Sequence, residues 1–150
     1  MKQISTIFIL FIFLFTACNN GQSASADGLN WEDNLETAIQ QAKKENKAVL
    51  VNFTGSDWCI WCKRLSSEVF QQKEFEKYAD ESLVLVKLDF PRNIEQSAET
   101  QNYNRNLAQK YGIQGFPTIL IFNSQGKLVA QTGYQPGGPE KYIEHIKSYL

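Results

Sequence analysis

Cys59 and Cys62 sit in Trp58-Cys59-Ile60-Trp61-Cys62, separated by two residues. A thiol pair at this spacing can cycle between dithiol and disulfide. One thiolate attacks a disulfide sulfur of a second molecule and forms a mixed disulfide; the other thiol displaces it and closes the internal bond. The attacking sulfur must be ionised, and a free cysteine titrates near 8.5. A helix N-terminus lowers that value, because unpaired N–H groups and the positive end of the helix dipole face the sulfur. If Cys59 opens a helix, Cys62 lies one turn further on, within reach of the same atom. Three other uses of the pair remain open at this point. A zinc half-site would need four ligands, and His145 is the only histidine. A structural disulfide would close a very short loop and stabilise little. Two inert core thiols would not need a helix start.

The surrounding runs supply that start. Ala48 to Phe53 (AVLVNF) is apolar and β-branched, suited to a buried strand, and Thr54-Gly55-Ser56-Asp57 breaks it. A helix is expected from near Cys59 to about Phe70, with a further turn or two around Phe75 to Ala79. Leu83 to Leu88 and Thr118 to Phe122 read as strands, and Lys127 to Thr132 as the hairpin partner of the latter across Asn123-Ser124-Gln125-Gly126. Upstream, Asn30 is the expected cap of a helix carrying Leu35, Ala38, Ile39 and Ala42 on one face. Leu107, Ala108 and Tyr111 predict a helix ending at Gly112, and Pro91 to Tyr103 reads as loop or helix front. Glu140 to Tyr149 predicts a last helix with Tyr142, Ile143, Ile146 and Tyr149 on one face. Three strands separated by helices are expected to be parallel neighbours, with the hairpin on the edge. The fold class is α/β, a central mixed sheet flanked by helices on both faces. Sites in open sheets form at the carboxyl ends of strands, and Cys59 lies just past one.

Composition narrows the setting. The chain has 150 residues, 43% hydrophobic and 21% charged, with net charge −1. That is enough apolar content for one domain and excludes a disordered chain. The near-neutral balance argues against nucleic acid as a partner, which would require a basic patch. Three cysteines are too few for a disulfide-dense scaffold. His145 reads as a solvated surface residue.

The first residues differ from the rest. After Met1-Lys2-Gln3, Ile4 to Phe15 is almost wholly apolar, roughly 18 Å as a helix against about 30 Å of hydrocarbon. This pattern predicts a secretory signal over residues 1–17. Phe15-Thr16-Ala17-Cys18 resembles the bacterial lipoprotein signal, which implies acylation of Cys18, with Phe15 where leucine is commoner. An ordinary signal peptide with Cys18 unpaired is one alternative, and an uncleaved single-span anchor, disfavoured by the short apolar run, is the other. Residues 18–29 then form a lipid-attachment cysteine and polar tether, and residues 30–150 the domain, held at the periplasmic side of the bacterial envelope.

Three blocks carry a wider resemblance: VLVNFTGSDWCIWCK, LVLVKLDF and QKYGIQGFPTILIFNSQGKLVAQTGY. From Ala48 to Leu150, and more loosely from Trp31, the chain resembles the thioredoxin family, with an insertion over roughly Pro91 to Tyr103. The resemblance implies a thioredoxin-like fold with Cys59 as nucleophile and Cys62 as resolving thiol. It places Pro117 at the family's cis-proline, with Phe116 offering its backbone to an extended client strand, and Trp58 beside the nucleophile. There are departures. The family's buried acid becomes Asn52, which cannot take up a proton at ordinary pH. Lys87 matches the lysine paired with that acid. Ile60-Trp61 replaces Gly-Pro, and these apolar side chains could form a docking surface. The expected activity is reduction or isomerisation of envelope protein disulfides without a cofactor or metal. The expected partners are protein thiol or disulfide clients and an upstream electron donor, the protein itself being a monomer. The alternative is a non-catalytic binding or chaperone module that grips a partner through Trp58, Ile60, Trp61 and Phe116.

Overall fold

The structure is a computed structural model that describes residues 28–150. The expected signal segment, Cys18 and the tether up to residue 27 lie outside the described residues. Leu29, expected at the end of the tether, is buried with the core.

The elements in order are β1 (Trp31–Glu32), α1 (Leu35–Glu45), β2 (Ala48–Thr54) and α2 (Ile60–Leu65). A π-turn, Ser66–Phe70, continues α2, followed by α3 (Lys73–Ser82), β3 (Leu83–Asp89) and α4 (Ala98–Lys110). The chain closes with β4 (Thr118–Phe122), β5 (Leu128–Thr132) and α5 (Gly138–Lys147). The sheet order is β1-β3-β2-β4-β5. Strands β1 and β2 run parallel to β3, while β4 is antiparallel to both β2 and β5.

Both faces of the sheet are covered, which is why β2 is apolar at every position but Asn52 and Thr54. Its side chains still alternate. Ala48 and Leu50 face Leu65, Val69, Phe70, Phe75, Tyr142 and Ile146, the layer of α2, α3 and α5. Val49, Val51 and Phe53 face Leu35, Ala38, Ala42 and Leu107, the layer of α1 and α4. By the same alternation Asn52 and Thr54 point to the α2 side. Lys87, the Cα partner of Asn52 on β3, shares that side with Leu85 and Leu83.

Three expectations change, and the open reading of Pro91–Tyr103 resolves. Asn30 does not cap the first helix: Trp31–Glu32 pairs with Leu85 and Val86 as an edge strand, and Trp31 packs edge-on against Phe70 at 5.3 Å. The cap is Asn34, whose side chain accepts the Thr37 N–H at 2.8 Å. The strands of β2, β3 and β4 are not all parallel. Thr118 pairs with Phe53 and Phe122 with Val49, so β4 begins where β2 ends. Strand composition is the same in either direction; the segment from Tyr111 to Pro117, which returns the chain to that end, decides it. The Pro91–Tyr103 stretch divides at Ser97, which caps α4 by accepting the Thr100 N–H at 3.1 Å. On α5, Tyr142 and Ile146 are buried, but Tyr149 lies beyond the helix and is 39% exposed. No helix among the described residues is long and apolar enough to cross a membrane.

Candidate active site

The break after β2 is built around Gly55. A Cβ there would fall 2.5 Å from the Trp58 ring, so only glycine lets the indole fold back over the turn. The Gly55 carbonyl accepts the N–H groups of Trp58, at 3.2 Å, and Cys59, at 2.8 Å. This tight turn delivers Cys59 as the N-cap of α2.

Cys59 and Cys62 are joined as a disulfide, with Cα atoms 5.2 Å apart. The Cys62 N–H donates to Cys59 Sγ at 3.2 Å, a contact that in the reduced state favours the ionised sulfur. Cys59 Sγ lies 3.6 Å from the Phe116 carbonyl oxygen, and the Phe116–Pro117 bond is cis. Each cysteine is 6% exposed in the disulfide form. The rim reaches solvent: Ile60 is 64% and Trp61 49% exposed, while Trp58, Phe116 and Pro117 are half-buried. The sequence-predicted residues Trp58, Cys59, Ile60, Trp61, Cys62, Phe116 and Pro117 thus gather at one end of the sheet. Phe116 is brought in from 57 positions away.

The segment after β3 completes the site in a way the sequence reading missed. The Trp58 indole N–H donates to the Phe90 carbonyl at 2.8 Å, and Phe90 stacks on Phe116 at 4.9 Å. The Arg92 guanidinium covers the Trp58 ring at 3.9 Å. Asp57, in the turn before Cys59, accepts N–H bonds from Arg92 at 3.0 Å and Asn93 at 2.6 Å. Desolvation opposes ionisation of Asp57, but the backbone donors outweigh it and hold the carboxyl below its usual range. Asp89 accepts both the backbone N–H and the hydroxyl of Ser56, at 2.9 and 2.5 Å. The only sequence signal was Asp89-Phe90-Pro91 directly after a strand end.

On the other side, Trp61 packs on Tyr134 at 5.6 Å, and the Arg64 guanidinium lies 5.2 and 5.3 Å from these two rings. The Tyr134 hydroxyl and Arg64 Nε both donate to Glu68, and together they lower the pKa of its carboxyl. Trp61 is therefore exposed but held. His145 is not a solvated residue: it is half-buried, with Nε2 2.8 Å from the Thr132 hydroxyl. Among the described residues, no group of three His, Cys, Asp or Glu side chains could hold a metal ion.

Behind Cys62 a cavity of about 350 Å³ is lined by Cys62, Asn52, Lys87, Trp31, Lys63 and Ser56, among others. Asn52 is 6% exposed, and its Oδ1 has no hydrogen-bond partner. The Lys87 ammonium sits 5.7 Å from the centre of a Trp31 ring. A second cavity of about 370 Å³, lined by Glu32, Glu76 and Asp80 among others, contains neither cysteine.

Comparison with known proteins agrees with this geometry. Residues 35–147 match the family model of the thioredoxin-like domain. The chain is 36% identical over 126 residues to the disulfide bond reductase DsbH of Chlamydia pneumoniae, covering 84% of this chain and 75% of that protein. It is 35% identical over 118 residues to a protein disulfide-isomerase of Hordeum vulgare, but spans only 20% of that protein's length. A solved structure of a DsbH oxidoreductase superposes with a TM-score of 0.75 at 35% identity, covering 90% of this chain and 94% of that one.

Proposed function

The chain belongs to the thioredoxin-like family, and from that premise we propose that it exchanges thiols and disulfides with client proteins through Cys59, with Cys62 as the resolving thiol. One observation carries the assignment of roles: Cys59 caps α2 and accepts the Cys62 N–H at 3.2 Å. The sulfur that benefits from a helix-end donor is the one suited to attack, and its partner is already within bonding reach.

The chemistry balances without a cofactor. Reduced Cys59 attacks one sulfur of a client disulfide, and the other client sulfur leaves as a thiolate. Cys62 then attacks Cys59, restores the internal disulfide and releases the second client thiolate. The client gains two electrons and the cysteine pair loses them, so an upstream dithiol donor must restore the pair. The similarity to a protein named as a disulfide bond reductase favours the reducing direction. Isomerisation uses the same first step and ends with Cys59 released by a client thiol. Trp58, Ile60, Trp61, Phe116 and Pro117 form the surface on which an extended client segment would lie, with the Phe116 backbone beside the attacking sulfur.

The leader pattern bears on location. A basic, apolar leader ending in Phe15-Thr16-Ala17-Cys18 supports export and lipid attachment at Cys18, with the domain facing the periplasm.

Reduction of insulin by dithiothreitol in the presence of the purified protein tests the activity. Catalysed precipitation of the B chain, abolished by Cys59→Ser, is the expected result. Equal rates for wild type and Cys59→Ser would overturn the reading and leave a surface that grips partners non-covalently.

A further inference from the structure

We propose that Arg92 is a specificity-determining residue of the exchange site, a fixed cation that favours client segments carrying a carboxylate about three residues from the cysteine under attack. The proposal rests on the exchange reading above. It gives the stretch after β3, from Phe90 to Ile94, a part in choosing the client.

The cation is held from two sides. The Arg92 guanidinium lies over the Trp58 ring at 3.9 Å, and Trp58 directly precedes Cys59. The Arg92 backbone is pinned to the same turn: the Asp57 carboxylate accepts its N–H at 3.0 and 3.1 Å and the Asn93 N–H at 2.6 Å. A long side chain held at both ends loses less freedom when it meets a ligand than a loose one does. Its guanidinium offers N–H donors in a fork that matches a carboxylate.

No carboxylate of the protein takes up those donors. Arg92 is exposed and belongs to neither ion pair among the described residues, Lys47–Glu45 and Arg64–Glu68. Arg64 packs on Trp61 and Tyr134 much as Arg92 packs on Trp58, but its Nε donates to Glu68 at 2.9 Å. Of the two arginines on aromatic rims, Arg92 is the one left open to a visiting anion. The acids near it are otherwise engaged: Asp57 by the backbone, and Asp89 by the N–H and hydroxyl of Ser56. Glu95 lines a cavity of about 300 Å³ with Arg92 and Arg105 and forms an ion pair with neither. Lys63 and Arg105 offset much of this acidic charge, so recognition depends on contact with one head group rather than on a broad field.

The spacing follows from the rings. The Phe116 carbonyl lies 3.6 Å from Cys59 Sγ, the Phe116 ring 6.0 Å from the Trp58 ring, and the Trp58 ring 3.9 Å from the guanidinium. The two ring steps match about three residues of extended chain, at roughly 3.3 Å each.

Peptides with one cysteine activated as the 2-thiopyridyl disulfide test the proposal. The Cys59 thiolate attacks the peptide sulfur, and the pyridinethiolate leaves and takes a proton as thiopyridone. Cys62 then attacks Cys59 and releases the peptide thiol. Stopped-flow absorbance of thiopyridone gives the rate with the full, reduced protein for peptides bearing Glu, Gln or Lys three residues before or after the cysteine. The rate of Cys59→Ser is subtracted, and each value is divided by that of the same peptide with 2-mercaptoethanol. On one side of the cysteine, wild type should react about fivefold faster with the Glu than with the Lys peptide, the scale of one exposed ion pair. The ratio should approach one in about 1 M salt. Arg92→Gln should abolish it, Arg92→Lys should keep a preference, and Arg92→Glu should invert it. A ratio near one in wild type overturns the proposal. So does a ratio kept by both Arg92→Gln and Arg92→Glu, or one that persists with the charge moved six residues from the cysteine. No reaction of any peptide above the Cys59→Ser rate overturns the exchange reading itself.

Discussion

The Trp58 indole donates its N–H to the carbonyl of Phe90 at 2.8 Å, joining residues 32 positions apart. That bond ties the turn before Cys59 to the segment after β3, and Arg92 from the same segment lies over the indole at 3.9 Å. The polar stretch that follows β3 is thus part of the wall around the cysteines. Trp58→Phe keeps an aromatic ring but leaves the Phe90 carbonyl without its donor, and should cost about 1 kcal/mol. Arg92→Ala should cost about 0.5–1 kcal/mol, the range of an exposed cation–π contact. Urea denaturation followed by circular dichroism measures both; no change in either midpoint would mean that the segment is not held there in solution.

Removing the resolving thiol should stall exchange halfway. Cys62→Ser is expected to accumulate client proteins joined through Cys59, seen as bands on non-reducing gels that vanish with reductant. Cys59→Ser and the double variant should capture none. Capture by Cys59→Ser but not by Cys62→Ser would reverse the two roles.

Asp57 gives a pH signature. Its folded pKa is lowered from the ordinary 3.8, chiefly by the Asn93 and Arg92 N–H groups working against desolvation. A depressed carboxyl contributes stability that is present above the unfolded value and is lost as pH falls through the folded one. Wild type should therefore exceed Asp57→Asn in denaturation midpoint at neutral pH, and the gap should close below pH 3.8. A gap of constant size down the acid range would show that the carboxylate charge is not what holds the Arg92–Asn93 backbone.

The start of α1 separates two asparagines. Asn34→Ala should destabilise the domain by about 1 kcal/mol, because the Thr37 N–H loses its acceptor. Asn30→Ala, outside the helix, should cost much less. Thermal unfolding of the two variants decides the matter, and the reverse order would place the cap at Asn30.

Local pattern carried a good deal. The β-branched runs marked β2, β3 and β4, because strands covered on both faces are apolar along most of their length. The helix after Cys59 was readable from a strand, a Gly-containing break and a two-residue gap between thiols. Trp31 misled, since an aromatic next to acids fits a helix start as well as an edge strand; contact with Phe70 and pairing with Leu85 settle the choice. Phe90 and Arg92 carried no signal, because their importance lies in what they touch. The partners of Asp57 were hidden for the same reason: they are backbone groups 35 and 36 positions away.

The sequence by itself determined the pair of sulfurs, their spacing along a helix and the apolar runs of the four strands β2 to β5, not the edge strand β1. These depend on neighbours a few residues apart, where period and propensity act. Tertiary structure alone decided the direction of β4, the approach of the Phe116 carbonyl to Cys59 and the closing of Phe90 and Arg92 over Trp58. It also left Asn52 beside Lys87 in a cavity under Cys62. Each of these joins segments distant in the chain, and the free energy that selects among such meetings comes from packing and desolvation of the whole domain.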